Sequence, residues 1–326
     1  MFPYKSRNTV VRKRKKKKTN LSRLLFFIAS VVFLFVAINA FVNLKENNIG
    51  NFKKGRVAVD TKSTHSNAVD ELAKKLGLRS GAEEKAALPH GENIAWVACD
   101  LADDKFYGQN EDAVLKIASL AKLPVALVIA KMASRNEIGF EDQVEFVEDD
   151  FVSGTGSLQY YIMPGESLSV RRLCQLMIVE SDNIAYRMLI RFIGLEQIQA
   201  ELRRLDIAVS FEGGNLASAR DISRVLHKIW MLVPDKNSRA EELIGWMLSS
   251  AYKDGIAKGL PPESLVANKE GFISGSVVAD AGFILSPRPW IMVVIVNDLD
   301  DGESYQIIRE IAARLYDVIN PKKPAG

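Results

Sequence analysis

The sequence predicts a mixed α/β fold of the α+β kind: an antiparallel sheet built from both chain ends and packed with helices, plus a helix-rich lobe. Two observations predict it. Strand-like runs lie near both ends of the folded region, Ile94 to Asp100 with Lys105 to Gln109 on one side and two apolar runs after Lys269 on the other. Between them the apolar residues recur at helical spacing.

Taken in order, residues 1 to 23 hold ten Lys or Arg and no acid, including the run Arg12 to Lys18. Leu24 to Leu44 follows with twenty-one residues and no charge. At a rise of about 1.5 Å per residue it spans the hydrocarbon core of a bilayer, about 30 Å. The pattern predicts a single-pass transmembrane anchor at 24–44. Its basic tail, 1–23, stays in the cytoplasm and the C-terminal bulk lies outside the cell membrane. A cleaved signal peptide is the competing reading, with Ala40 as the cleavage point, but Ile38 is a poor small residue for that site and the apolar run is long. Residues 45–65 read as a polar tether, and Asn67 to Leu76 as the first helix of a domain at 66–321. That domain, about 255 residues, is large but acceptable for one unit with two lobes, and 48% apolar residues give it a sizeable core.

The lysine run also raises nucleic-acid binding. The adjacent apolar segment explains it better, and setting the ten N-terminal basic residues aside leaves 33 basic against 40 acidic, net −7. No nucleic-acid partner is expected.

The helical middle begins at Leu120 to Met132, continues with Leu173 to Val179, Asn183 to Leu205 and Ser218 to Leu232, and yields to the late strands and a C-terminal helix. Three polar signatures interrupt these apolar patterns in a fixed order: Ser119-Leu-Ala-Lys122, Ser181-Asp182-Asn183 and Lys269-Glu270-Gly271. A spacing of three puts the Ser119 hydroxyl and the Lys122 amine on one helical face. A serine hydroxyl is a weak nucleophile until a base takes its proton, and a lysine becomes that base when burial or other cations lower its pKa. Ser181 then relays a proton toward a leaving nitrogen. Asn183 holds a substrate amide and keeps Lys122 in place, and Lys269 adds a second positive charge that attracts an anionic substrate. Average Ser and Lys usage gives about one accidental Ser-x-x-Lys in a chain this long, so the ordered triple carries the weight. The bland readings are Ser119 as a helix N-cap, Lys122 as a snorkelling lysine, and Asp182 with Asn183 in an ordinary turn. Against them, Lys122 sits in the otherwise apolar run Ile117 to Ile129, where an idle charge is costly. Asp182 is read as structural, holding the turn that presents its neighbours.

These residues resemble the penicillin-recognising serine enzymes, and among them the class A β-lactamases and their relatives. The likeness runs from roughly Glu71 to Asn320. It includes the early strand pair, the stretch Gly154-Thr155-Gly156-Ser157-Leu158-Gln159, and Pro164-Gly165 before the Ser-Asp-Asn triplet. It implies a β-lactamase/transpeptidase-like fold with the active site between the lobes. It also implies substrate binding by Lys269, Gly271 and Phe272, and an oxyanion hole from the backbone N–H groups of Ser119 and Phe272.

Two departures from the family pattern stand out. Class A enzymes carry a glutamate between the triplet and the last lysine motif that activates the deacylating water. Here that stretch is short, Phe211-Glu212-Gly213-Gly214-Asn215, and leaves only Glu212 and Asn215 as candidates at an interval that does not match. Glu212 is the possible deacylation residue, against the plain reading that a lone glutamate in a Gly-rich loop is solvated. The second departure is Glu270, where the family has threonine or serine; a carboxylate there repels a substrate carboxylate, and Asp280 adds to that potential if it faces the cleft. Either the substrate differs from a penicillin or Glu270 turns away.

The expected activity is that of a membrane-anchored extracytoplasmic serine hydrolase. It acylates on Ser119 and acts, as a monomer without cofactor, on a small-molecule β-lactam or a peptidoglycan peptide. A D-alanyl carboxypeptidase or esterase on the same scaffold is the alternative, and a non-turnover wall-fragment sensor the third reading. Cys99 and Cys174 are the only cysteines, as a disulfide or as two buried thiols. His65, His90 and His227 are scattered without metal-ligand spacing, so no metal site is expected, and the four tryptophans read as core.

Overall fold

The computed structural model describes residues 91–101, 105–285 and 288–320, all within one unit, Asp60–Gly326. The expected basic tail, membrane span, tether and first helix, with His65 and His90, lie outside the described residues. Among the described residues no helix is long and apolar enough to cross a membrane.

The chain enters with β1 (Ile94–Asp100), β2 (Lys105–Gln109) and the short β3 (Leu115–Lys116). A 3₁₀ turn at Ala118–Ala121 leads into α1 (Lys122–Ser134). The hairpin β4 (Gln143–Glu145) and β5 (Ser167–Ser169) brackets a long loop, and α2 (Val170–Val179), α3 (Asn183–Ile193) and α4 (Leu195–Arg204) follow. After β6 (Val209–Ser210) and β7 (Leu216–Ala217) come α5 (Ala219–Met231), α6 (Ala240–Leu248) and the single turn α7 (Ile256–Gly259). The chain closes with β8 (Val266–Ile273), β9 (Val277–Ile284), β10 (Trp290–Asn297) and α8 (Asp301–Ile319).

The main sheet has the order β2-β1-β10-β9-β8 and is antiparallel throughout, so both chain ends do build it. Its two faces serve two cores, as the period-2 alternation of a strand requires. Val97, Cys99, Ala281, Phe283, Val293 and Ile295 pack toward the helical lobe, while Trp96, Ala98, Val278, Met292 and Val294 pack against Ile308, Ala312 and Leu315 of α8. With both faces covered, every residue of β1, β9 and β10 is buried. In the helical lobe α1 is central, buried along nearly its whole length.

Several boundaries differ from expectation for local reasons. Ser119 lies in the 3₁₀ turn and not in the α-helix, which starts at Lys122. The pattern from Asn183 to Leu205 is two helices, because Gly194 adopts φ 92° and breaks the ladder between them. α2 starts earlier than Leu173, where the Ser169 hydroxyl accepts from Arg172 N at 3.2 Å as N-cap. Ser218 caps α5 in the same way. Cys99 on β1 and Cys174 on α2 are both buried thiols, and burial pushes the Cys174 thiol further up. His227 meets Phe106 edge-on at 6.4 Å. Trp96 and Trp290 are buried, with Trp230 and Trp246 half-buried against the core.

Candidate active site

The turn that carries Ser119 is a strained segment. Ala118 holds φ 45°, a left-handed conformation uncommon outside glycine, and Asn215, itself at φ 59°, ties that turn down. The Asn215 side-chain amide donates to Ala118 O at 3.1 Å, and Ile117 N donates to Asn215 O at 2.8 Å. In a 3₁₀ turn residues three apart eclipse, which aligns Ser119 with Lys122 better than an α-turn would. Ser119 is not the cap of α1, since Ala121 occupies that position. Ser119 is half-buried and Lys122 only 2% exposed, so no snorkelling occurs.

Lys122 Nζ lies 3.1 Å from Ser119 Oγ, 3.0 Å from Ser181 Oγ, 2.7 Å from Ser181 O and 2.7 Å from Asn183 Oδ1. The last two are carbonyl oxygens, which only accept. They occupy the two hydrogens of a neutral amine and leave its lone pair to the serine hydroxyls. Burial, with the Lys269 charge behind it, lowers the Lys122 pKa well below the usual lysine value, opposed by Asp182. The ring of Tyr186, one helical turn after Asn183, lies 5.7 Å from Nζ and helps exclude water.

The Ser-Asp-Asn turn is held from several sides. Ser181 takes φ 56°, and Thr155 Oγ1 donates to its carbonyl at 2.7 Å. Asp182 caps α3 through Ala185 N at 2.9 Å and accepts from Leu158 N at 2.9 Å, the structural role expected of it. The Gly-rich stretch fits for steric reasons: a Cβ on Gly156, at φ 102°, would stand 2.1 Å from Asp182 Oδ2.

Opposite stands β8, the edge strand beside the Ser119 turn. Lys269 is fully buried; its Nζ donates to Glu270 O at 2.6 Å and lies 5.6 Å from the Tyr252 ring. Burial pulls its pKa down to about 8, with Asp280 and Glu270 opposing. Gly271 packs against the turn: a Cβ there would come 2.5 Å from Ile117 O and 3.2 Å from Ser119 N. Only glycine lets this strand approach so closely. Phe272 is next, 47% exposed, its ring stacked on Tyr305 at 6.3 Å.

Glu270 turns away. Its carboxylate accepts from Gly255 N at 2.9 Å and from Tyr305 OH at 3.2 Å, on the α8 side of the sheet. Asp280 is its cross-strand partner on that side. Of the two alternatives posed by this residue, the structure takes the second.

Ser119, Lys122, Ser181 and Asn183 therefore form one hydrogen-bonded cluster, with Lys269 and Gly271 beside it. Glu212 is exposed in the β6–β7 loop, and among the described residues no hydrogen bond links it to the cluster. Among them, too, no group of His, Cys, Asp and Glu could hold a metal. Sequence reasoning missed Tyr186 and Tyr252. The first sits three residues after Asn183, a spacing that signals a shared helical face; the second carries no local signal.

A family model described as the beta-lactamase enzyme family matches residues 82–319. The chain belongs to this beta-lactamase family. Among solved structures it is similar to PBP-A, at 20% identity over 76% of this chain and 95% of that one, with a TM-score of 0.65. A variant of PBP-A, solved as an acyl-enzyme complex with penicillin G, gives a TM-score of 0.68 at 20% identity, covering 77% and 97%. The beta-lactamase from Sphaerobacter thermophilus gives 0.65 at 20% identity, covering 78% and 98%. At such identities the likeness speaks for the fold, a beta-lactamase fold over nearly the full length of each neighbour. No curated protein matches the sequence significantly.

Proposed function

We propose that this protein is a serine hydrolase that forms an acyl-enzyme on Ser119 with a β-lactam or a related cell-wall peptide amide, held at the outer face of a membrane by its N-terminal apolar segment. The observation that carries the reading is the buried Lys122 amine, hydrogen-bonded to Ser119 Oγ at 3.1 Å with both its N–H positions taken by Ser181 O and Asn183 Oδ1.

The Ser119 proton passes to neutral Lys122 as Oγ attacks the substrate carbonyl carbon. Oxyanion stabilisation falls to the N–H groups of Ser119 and Phe272, which Gly271 brings close by its packing on the turn. As the tetrahedral centre collapses, the C–N bond breaks, and the leaving nitrogen takes a proton from Lys122 through the Ser181 hydroxyl at 3.0 Å. Lys269, charged below about pH 8, favours substrates bearing a carboxylate. The ester is then hydrolysed by water. With Glu212 outside the cluster, nothing in the β6–β7 loop activates that water, and the acyl-enzyme is long-lived. This favours a penicillin-binding or D-alanyl carboxypeptidase character over rapid lactam turnover.

Incubation with a fluorescent penicillin tests the proposal. Stoichiometric labelling that is lost in Ser119→Ala supports it, whereas labelling that persists in that variant contradicts it. A segment that carries the chain into a membrane keeps it there through alkaline carbonate washing; release by that wash contradicts the anchor.

A further inference from the structure

Lys269 is fully buried, its contacts among the described residues are the neutral Glu270 O and the Tyr252 ring, and its charge lowers the pKa of the Lys122 amine. Such a charge is expensive unless a counter-charge lies near. Among the described residues the acids that act on it, Asp280 and Glu270, stand behind the strand.

Glu270 and Asp280 are register partners on β8 and β9, so their side chains leave the sheet on one face, opposite to Lys269. Glu270 is 5% exposed and Asp280 0%. A step of backbone at the start of α7 holds both: Gly255 N donates to Glu270 Oε1 at 2.9 Å, and Ile256 N to Asp280 Oδ2 at 2.8 Å. Tyr305 OH from α8 donates to Glu270 Oε2 at 3.2 Å, and Asn268 Nδ2 to Asp280 Oδ1 at 2.8 Å. The cradle is fitted to the pair, since a Cβ on Gly255 would lie 2.6 Å from Asp280 Oδ2. Two carboxyls confined in this way do not both ionise without a large cost. Burial first, and Glu270 second, push the Asp280 carboxyl well above the usual range.

We propose that Glu270 and Asp280 share one proton and act as a positioning pair, supplying from behind β8 the single negative charge that keeps Lys269 an ammonium at the cleft. Among the described residues the other titratable groups that feel this pair are Tyr252 and Lys253 from the loop before α7, Tyr305 from α8 and Lys269 itself. Lys253 donates to Val266 O and Asn268 Oδ1 at 2.7 Å each, so it reaches Asp280 only through Asn268, although its charge also favours the ionised carboxyl. The role of Lys269 in substrate attraction rests on the proposed function. The proton sharing does not.

Titration of the full-length chain carrying ¹³Cε-lysine tests the pair without any substrate, so its outcome is separate from that of penicillin labelling. The Lys269 signal is assigned by its loss in Lys269→Arg. In Glu270→Gln or Asp280→Asn the remaining carboxyl takes up the charge, and the Lys269 midpoint moves by less than about half a pH unit. In the double variant it falls by about one pH unit or more. A double variant that titrates with the parent overturns the proposal, as does a single variant that shows the whole change. Should the double variant not fold, the Asp280 carboxyl carbon is followed in Glu270→Gln. Its midpoint falls once the neighbour is neutral, and an unchanged midpoint overturns the sharing.

Discussion

Lys122 Nζ stands 2.7 Å from Asn183 Oδ1, and this contact across two helices aims the amine at Ser119. Spacing along the chain aligns the serine and the lysine; the asparagine fixes the direction of the lone pair. Asn183→Ala therefore leaves the base present but free to wander. Ser119 acylation is expected to fall by about 10–100-fold, the usual effect of misplacing a reacting group by an ångström. Stopped-flow labelling with a fluorescent penicillin measures it, and an unchanged rate would show that Asn183 does not aim the amine.

The acylation rate should be bell-shaped in pH for an anionic substrate. Lys122 must be neutral, and burial lowers its pKa, so activity rises already below the ordinary lysine range. Lys269 must be charged, so activity falls as pH climbs through about 8. The sign follows from the cation: deprotonation removes the attraction. A neutral substrate loses the upper limb, which distinguishes Lys269 from a general alkaline collapse. Rate constants from pH 5 to 10 with both substrates decide it.

Gly271→Ala would place a methyl group 2.5 Å from Ile117 O, a backbone atom that cannot rotate away. β8 must then back off from the nucleophile turn. The expected cost is about 1–3 kcal/mol in stability, typical of overpacking, with acylation lowered more than tenfold. Thermal unfolding beside the labelling rate checks both; a variant as stable and as fast as the parent would mean that the strand does not need this approach.

Glu212 is exposed and apart from the cluster. Glu212→Gln should leave the lifetime of the acyl-enzyme within about twofold of the parent, since a solvated surface carboxylate contributes little. Decay of the labelled species after removal of free penicillin gives the lifetime. A large increase in lifetime would restore the glutamate to a deacylating role.

Much of this was legible because the chemistry is written in local spacing. Ser119 with Lys122, and Ser181 with Asn183, are short motifs, and the apolar runs of β9 and β10 mark buried strands. What was hidden depends on three-dimensional context. The break at Gly194 needs φ 92°, which a helical pattern does not display. The two helices between Leu232 and Lys269, α6 and α7, have no counterpart among the elements read from the sequence; α7 is a single turn fixed by the carboxyl pair behind β8. Alternation along β8 places Lys269 and Glu270 on opposite faces without saying which face meets the cleft. The Tyr305 hydroxyl and the Gly255 amide decide that, and both are distant in sequence. Tyr252 reaches Lys269 in the same manner, by tertiary contact alone.

The most direct measurement is peptide mapping by mass spectrometry after brief exposure of the full-length chain to penicillin. A covalent adduct confined to the peptide containing Ser119, and absent from Lys122→Ala on the same timescale, is the result predicted by a serine activated by its buried lysine. An adduct on another residue, or equal modification of Ser119 in Lys122→Ala, would contradict it.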